Sequence, residues 1–236
     1  MCTRYLLRRP AAELAAALGV PEFPSPLPRY NAAPQQRLPV VRRRPDARQR
    51  EATTLRWGLV PGWSPTPATP TLLVNARAET AATKPAFRDA LRHRRCLVPA
   101  DGFYEWQRTA AGPRPWLFEH RGGELLLLAG LWERWAGPRA EPFESFAVLT
   151  TAPNTLVAPI HDRMPVLIRA AAIDEWLDPL TAPARLAALL APAPAEELRT
   201  RPVHPRLNNT AHDDPACLAP PPPSPTATMQ LDLGLG

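Results

Sequence analysis

The chain reads WLFEHRGGELLLLAGLW from Trp116 to Trp132. Two runs rich in leucine and aromatic residues, 116–120 and 124–132, are separated by Arg121-Gly122-Gly123. Runs of this kind, joined by a short glycine-containing turn, are typical of a β-hairpin. The centre of the chain therefore predicts two antiparallel strands paired with each other.

Other segments around this one have the composition of short strands. They are rich in β-branched, aromatic or leucine residues, are bounded by Gly, Pro or Asn, and comprise residues 38–42, 55–60, 72–78, 96–106 and 145–151. Apolar residues three and four apart predict helices over 83–92, 170–177 and 182–190, and a first helix between Pro10 and Gly19. This mixed order predicts an α+β fold with a largely antiparallel, barrel-like sheet and a few short helices.

The length of 236 residues favours one domain, which we place at residues 1–218. The run of prolines from Pro220 predicts a disordered tail over residues 219–236. No apolar stretch approaches the roughly 18 residues that span a bilayer, so we expect no membrane anchor. The three cysteines form no C-x-x-C pair, which indicates a reducing cytoplasm and no structural zinc. We expect a monomer with no cofactor and no metal site.

The formal net charge of +6 favours a polyanionic partner such as nucleic acid. Lys84 is the only lysine, and the planar guanidinium groups that carry the rest of the positive charge suit phosphate contacts. A GC-rich genome explains the same abundance of Arg, Ala and Pro. Composition alone therefore leaves both explanations open.

Cysteine at position 2 is small enough to allow removal of the initiator methionine, and Cys2 then becomes the first residue. An N-terminal cysteine carries an α-amine with a pKa of about 7.7–8.0 and a thiol with a pKa of about 8.5. The amine forms a Schiff base with an aldehyde, and the thiol then closes a five-membered thiazolidine ring. The alternative is an incidental cysteine beside the start codon.

Six motifs in order make the chain resemble the SOS response-associated peptidase (SRAP) family of abasic-site-trapping proteins, from Met1 to about Leu218. The motifs are MCTRY at 1–5, RYNAAP at 29–34, WGLVPGW at 57–63, NARAET at 75–80, CLVPADGFYEW at 96–106 and IHDRMP at 160–165. The resemblance implies that single-stranded DNA containing abasic sites is the partner. It also implies that the ring-opened sugar presents its aldehyde to Cys2.

The resemblance also implies that Asn75, Glu105 and His161 surround the adduct. A histidine and a carboxylate suit the proton transfers of sugar ring opening and imine formation. The carboxamide of Asn75 can hold the reacting groups in place. Each residue also has a structural interpretation: Glu105 could point to water and His161 could be a loop salt-bridge group. Strand alternation would place Asn75, Arg77 and Glu79 on one polar face.

Arg4, Arg77 and Arg163 match arginine positions of the family and are candidates for gripping phosphates. Trp63, in an exposed-looking loop, is the candidate for stacking on a base, whereas Trp57 and Trp106 are expected in the core. Thr3 replaces the glycine that is usual in the family, which predicts an altered fit or rate rather than loss of function.

Two other functions are compatible with the sequence. One is an N-terminal-nucleophile cysteine peptidase or amidase, and lyase or autoproteolytic side activities stay open. The other is a basic module that binds single-stranded DNA without chemistry. We expect an abasic-site cross-linking protein of the cytoplasm, associated with the nucleoid when bound to DNA.

Overall fold

Two β-sheets contain the strands of the computed structural model, which describes residues 2–24, 28–44, 49–67, 72–137 and 141–223. In this part of the chain the strands are β1 Tyr5–Leu7, β2 Arg29–Ala32, β3 Arg37–Arg43, β4 Arg50–Trp57, β5 Asn75–Arg77, β6 Arg95–Ala100, β7 Gly102–Thr109, β8 Gly112–His120, β9 Leu126–Trp135, β10 Phe143–Thr151, β11 Met164–Pro165 and β12 Leu198–Pro202. The fold is α+β and largely antiparallel, as the sequence predicts.

One sheet closes on itself as a barrel, because β10-β4-β3-β6-β9 pair in that order and β9 pairs back onto β10. Strands β5 and β11 add to the end of β10, and only the pairings of β10 with β4 and with β5 are parallel. The other sheet has five strands in the order β12-β8-β7-β1-β2.

Aromatic rings join the two sheets. Tyr5 of the five-stranded sheet lies 5.5 Å from Trp57 of the barrel, measured between ring centroids, and Trp57 stacks on Phe146 at 5.9 Å. Phe103 and Phe118 stack at 4.9 Å on the five-stranded sheet. These five side chains are fully buried, so the two sheets share one apolar core.

The helices are short and lie on the outside of the sheets. They are α1 Ala11–Leu18, α2 Ala78–Ala81, α3 Arg88–His93, α4 Ile173–Leu177 and α5 Pro183–Leu189, with 3₁₀ turns at Ala170–Ala172, Ala195–Glu197, Pro205–Asn208 and Pro215–Leu218. No helix among the described residues is long and apolar enough to cross a membrane. Helix α1 ends at Gly19 as predicted, where φ is +63°.

The predicted hairpin over 116–132 is wrong. The turn forms, since the Gly123 amide donates to the His120 carbonyl at 3.0 Å and Gly123 has a φ of +76°. However, β8 pairs with β7 and β12, whereas β9 pairs with β6 and β10. Each strand has both edges occupied by other strands, so the turn carries the chain from one sheet to the other.

The single strand predicted over 96–106 is two strands in different sheets. Asp101 separates β6 from β7: its amide donates to the Leu6 carbonyl at 2.7 Å, and its carboxylate accepts from the Arg8 and Arg9 amides at 2.6 and 3.1 Å. These contacts with the chain after β1 turn the backbone between the two sheets.

Two other predicted elements are shorter than expected. The helix predicted over 83–92 starts only at Arg88, after Pro85, which has no amide proton and disfavours helical torsions at the residue before it. The strand predicted over 72–78 gives way to α2 at Ala78. In the tail predicted over 219–236, residues 224–236 lie outside the described part of the chain.

Candidate active site

Cys2 lies three residues before β1, in the apolar core that the two sheets share. The Tyr104 amide donates to the Arg4 carbonyl at 3.1 Å, which holds this segment against β7. Cys2 is fully buried, and its thiol points to the Arg4 carbonyl with Sγ 3.9 Å from the oxygen. Burial, together with the negative charge of Glu105, raises the pKa of the Cys2 thiol far above its usual value. The thiol is therefore protonated in this state.

Glu105 lies on β7 and is only 1% exposed. Strand alternation directs Phe103 and Glu105 toward the main core, and Tyr104 and Trp106 toward a second apolar cluster on the other face of the sheet. The interpretation that Glu105 points to water is therefore wrong. Burial raises the pKa of Glu105 to about 8, so near neutral pH its carboxyl group can both give and accept a proton.

His161 approaches Glu105 from the barrel side, on the loop before β11. Its Nε2 lies 3.7 Å from Glu105 Oε2. The Arg163 amide lies 3.0 Å from His161 Nδ1 and, as an N–H group, can only donate to it. Two acceptors also face Nδ1, the Asp162 carboxylate at 3.0 Å and the Arg163 carbonyl at 3.3 Å, so Nδ1 can either accept or donate, while Nε2 faces Glu105. Burial lowers the pKa of His161, while the Asp162 carboxylate, 3.0 Å from Nδ1, opposes this shift.

Asn75 lies on β5, beside Val148 of β10. Both polar atoms of its carboxamide are inaccessible to solvent, and neither has a hydrogen-bond partner among the described residues. A buried amide left without partners costs about 1–3 kcal/mol. Such a group calls for an explanation, and a catalytic role is one of those known for it. The sequence predicts that Asn75, Arg77 and Glu79 share one face of a strand. This is wrong for Glu79, because the strand ends at Arg77 and Glu79 lies on α2.

The three arginines predicted to bind DNA have different surroundings. Arg77 is exposed at the end of β5. Arg4 donates from Nη1 to Asn31 Oδ1 at 3.2 Å and to the Leu207 carbonyl at 3.1 Å. Arg163 donates from Nη1 and Nη2 to the carboxylate of Glu79. Thus Arg77 is exposed, whereas the guanidinium groups of Arg4 and Arg163 are already engaged by the protein.

Trp63 is 66% exposed, in agreement with the predicted exposed loop. Trp57 is fully buried, as expected. The placement of Trp106 in the core is wrong: it is half-buried and donates from Nε1 to Asn208 Oδ1 at 2.7 Å. The Arg4 guanidinium lies 5.7 Å from its ring centroid. This tryptophan thus joins Arg4 and the segment after β12 at the surface.

The segment after β12 has no role that the sequence predicts. In the structure, fully buried Asn31 donates from Nδ2 to the carbonyl oxygens of Leu207, Asn209 and His212 at 3.2, 3.1 and 2.8 Å. Since Asn31 also accepts from Arg4, it links this segment to the chain next to Cys2. A polar residue inside the RYNAAP motif is the signal in the sequence that points to this link.

Thr3 adopts an ordinary backbone conformation. Among the described residues Gln35 is the only residue other than glycine with a positive φ. The glycine that is usual at this position is therefore not required for its torsions here, and the remaining difference is the bulk of the threonine side chain. No group of three or more His, Cys, Asp or Glu side chains that could hold a metal ion occurs in the described segments.

Comparison with known proteins finds relatives over most of the chain. The family model described as SOS response associated peptidase (SRAP) matches residues 1–210. The abasic site processing protein YoqW of Bacillus subtilis is 34% identical over 91% of this chain and 97% of its own length. The abasic site processing protein HMCES of Gallus gallus is 33% identical over 82% of this chain and 66% of its own length. A crystal structure of a protein from Bacteroides thetaiotaomicron superimposes with a TM-score of 0.81 at 26% identity, over 93% of this chain and 99% of that one.

Proposed function

Because the chain belongs to the SOS response-associated peptidase family, we propose that it binds single-stranded DNA and captures abasic sites covalently through Cys2. The relatives are named abasic site processing proteins. The observation that carries the chemistry is the position of Glu105: the residue is buried, its Oε2 lies 3.7 Å from His161 Nε2, and its negative charge raises the pKa of the Cys2 thiol.

The reaction begins after removal of Met1. The α-amine of Cys2 attacks the aldehyde carbon of the ring-opened sugar, and loss of one water gives a C=N bond. The thiol sulfur then adds to the same carbon, and the thiol proton ends on the nitrogen, which completes the thiazolidine. Ring closure is intramolecular, where effective molarities reach on the order of 10⁵ M or more.

Each neighbouring residue has a task in this sequence. His161 assists the opening of the sugar ring, in which the C1 hydroxyl group loses a proton and the ring oxygen gains one. Glu105 transfers protons between the amine, the departing water and the thiol, for which a pKa of about 8 is suitable. Asn75 supplies its unpartnered carboxamide to the sugar or to the amine. Trp63 stacks on an exposed base, and the arginines contact phosphates.

Incubation with a single-stranded oligonucleotide that contains one abasic site tests this function. We expect a protein–DNA band that survives denaturing electrophoresis, and no such band with the intact oligonucleotide. A hydrolase that uses Cys2 against amides, or a module that only binds DNA, would leave no covalent band. The absence of that band with the authentic N-terminus would contradict the proposed function.

Non-covalent affinity for single-stranded DNA is expected to fall steeply as salt rises, because each phosphate contact releases counterions. Each phosphate contact contributes roughly −0.7 to the slope of log K against log salt. Arg77→Ala should reduce this slope, whereas Trp63→Ala should weaken binding with the slope unchanged. Titrations with an intact oligonucleotide at several salt concentrations measure both quantities.

The matched control is Arg185→Ala, which removes an exposed arginine that pairs with Glu175 on α4. Its affinity and slope should equal those of the unmodified protein. Equal affinity at low and high salt, or a strong preference for intact duplex, would contradict the assignment of Arg4, Arg77 and Arg163 as phosphate-binding residues.

A further inference from the structure

Glu79 and Arg163 form a bidentate ion pair beside the candidate active site. Arg163 Nη1 and Nη2 donate to Glu79 Oε1 and Oε2 at 2.7 and 2.8 Å. The Arg163 side chain is 16% exposed and that of Glu79 is 50% exposed. Parallel hydrogen bonds of a guanidinium to a carboxylate fix the relative orientation of both groups. Glu79 therefore orients the Arg163 guanidinium group.

This pair connects the two barrel segments that carry candidate catalytic residues. Glu79 lies on α2, which directly follows β5 and its Asn75, while Arg163 lies two residues after His161. Arg163 also donates to the Thr150 carbonyl at 2.5 Å, and Thr150 pairs with Arg77 of β5. The His161 loop is thus tied both to the β5–α2 junction and to the end of β10.

The backbone of Arg163 acts directly on His161. Its amide nitrogen lies 3.0 Å and its carbonyl oxygen 3.3 Å from His161 Nδ1, so the Arg163 backbone holds the ring with Nε2 on the side of Glu105. These contacts depend on where the Arg163 backbone lies. The Arg163 side chain is anchored by Glu79 and by the Thr150 carbonyl, so loss of the Glu79 carboxylate weakens the anchor that positions the amide and the imidazole.

We infer that Glu79 is a positioning residue, which acts through Arg163 to hold the His161 ring with Nε2 toward Glu105 and in register with Asn75. This inference rests on the proposed function of the same site. It assigns Arg163 a role that precedes DNA binding, because both terminal nitrogens of its guanidinium already donate within the protein. A purely phosphate-binding Arg163 would instead be hindered by Glu79, and removing the carboxylate would then strengthen DNA binding.

Glu79→Gln tests the inference, because glutamine keeps the size of the side chain but offers one acceptor in place of two. We expect the first-order rate of covalent capture to fall about tenfold or more, since small misplacements of reacting groups are costly. The dissociation constant for intact single-stranded DNA should stay within about twofold. Glu175→Gln is the control, because it removes a carboxylate that also accepts two hydrogen bonds from one arginine, Arg185, outside the site. It should capture at the unmodified rate.

Two further measurements separate positioning from general destabilisation. Imidazole nitrogen chemical shifts, assigned to His161 by comparison with His161→Ala, should change in Glu79→Gln, because the contacts of Nδ1 with the Arg163 backbone change, and should stay the same in Glu175→Gln. Arg163→Lys keeps the positive charge but cannot form the two parallel hydrogen bonds to Glu79. Its effect on the capture rate and that of Glu79→Gln should therefore not be additive in the double variant.

Capture by Glu79→Gln at the unmodified rate, additive effects in the double variant, or unchanged His161 chemical shifts would each overturn the inference. The chemical-shift measurement uses the protein without DNA. If the unmodified protein captures no abasic DNA, the proposed function fails, while the chemical-shift comparison still decides the role of Glu79.

Discussion

An uncleaved extension at the N-terminus is expected to abolish covalent capture of abasic DNA completely. The extension keeps the thiol of Cys2 but converts its α-amine into an amide, and an amide nitrogen cannot form the Schiff base. Cys2 is also fully buried, so the segment before it has to occupy space next to the candidate site. Denaturing electrophoresis of extended and authentic protein with the same abasic oligonucleotide measures the effect.

Substitutions of Cys2 separate its two nucleophiles. Cys2→Ser and Cys2→Ala keep the amine, so we expect a reversible imine that borohydride traps. Neither variant has the thiol that closes the ring, so neither gives a heat-stable adduct without borohydride. Samples of each variant with and without borohydride, compared on one denaturing gel, therefore distinguish the imine from the thiazolidine.

Cys96→Ser and Cys217→Ser are the matched controls, because both cysteines are buried and free like Cys2. Both variants should form the heat-stable adduct. A heat-stable adduct of the extended protein, or loss of the adduct in either control together with its retention in Cys2→Ala, would refute the N-terminal mechanism. The amidase and DNA-binding functions would then become the better explanations.

Glu105→Gln is expected to slow adduct formation by about 10²–10⁴-fold, because loss of a general acid–base group typically has this effect. The glutamine side chain would keep the shape of the buried glutamate but could not exchange protons with the amine, the water or the thiol. DNA affinity should stay nearly unchanged, since Glu105 is 1% exposed and cannot itself lie on the DNA-binding surface. Single-turnover capture and binding titrations give the two quantities separately.

Glu119→Gln is a suitable control. Glu119 lies on β8, the strand next to β7, and its side chain is only 14% exposed. The Glu119→Gln variant should capture abasic DNA at the rate of the unmodified protein.

His161→Ala should also slow capture, but less severely with a substrate whose aldehyde is already open. Wild-type kinetics of Glu105→Gln would show that the role assigned to this carboxyl group is wrong.

Local patterns in the sequence determined the fold class and several elements. Apolar spacing predicted α1 and its end at Gly19, and the strand composition predicted β3 and β10 within a residue or two of their bounds. These features depend on residues that are neighbours along the chain, so they can be recognised without a partner strand. The four candidate catalytic positions came from the motifs and their family resemblance, and their roles stay predictions.

Only the tertiary structure decided which strands pair and which polar groups are buried. The glycine turn at 121–123 is compatible with a hairpin, yet β8 and β9 lie in different sheets because other strands occupy their edges. Glu105 looks like a surface residue in sequence, and it is the packing of the five-stranded sheet on the barrel that buries it and raises its pKa to about 8. The bond between Glu79 and Arg163 joins residues 84 positions apart. Pairing, burial and such contacts depend on segments that are distant in sequence, and no local pattern encodes them.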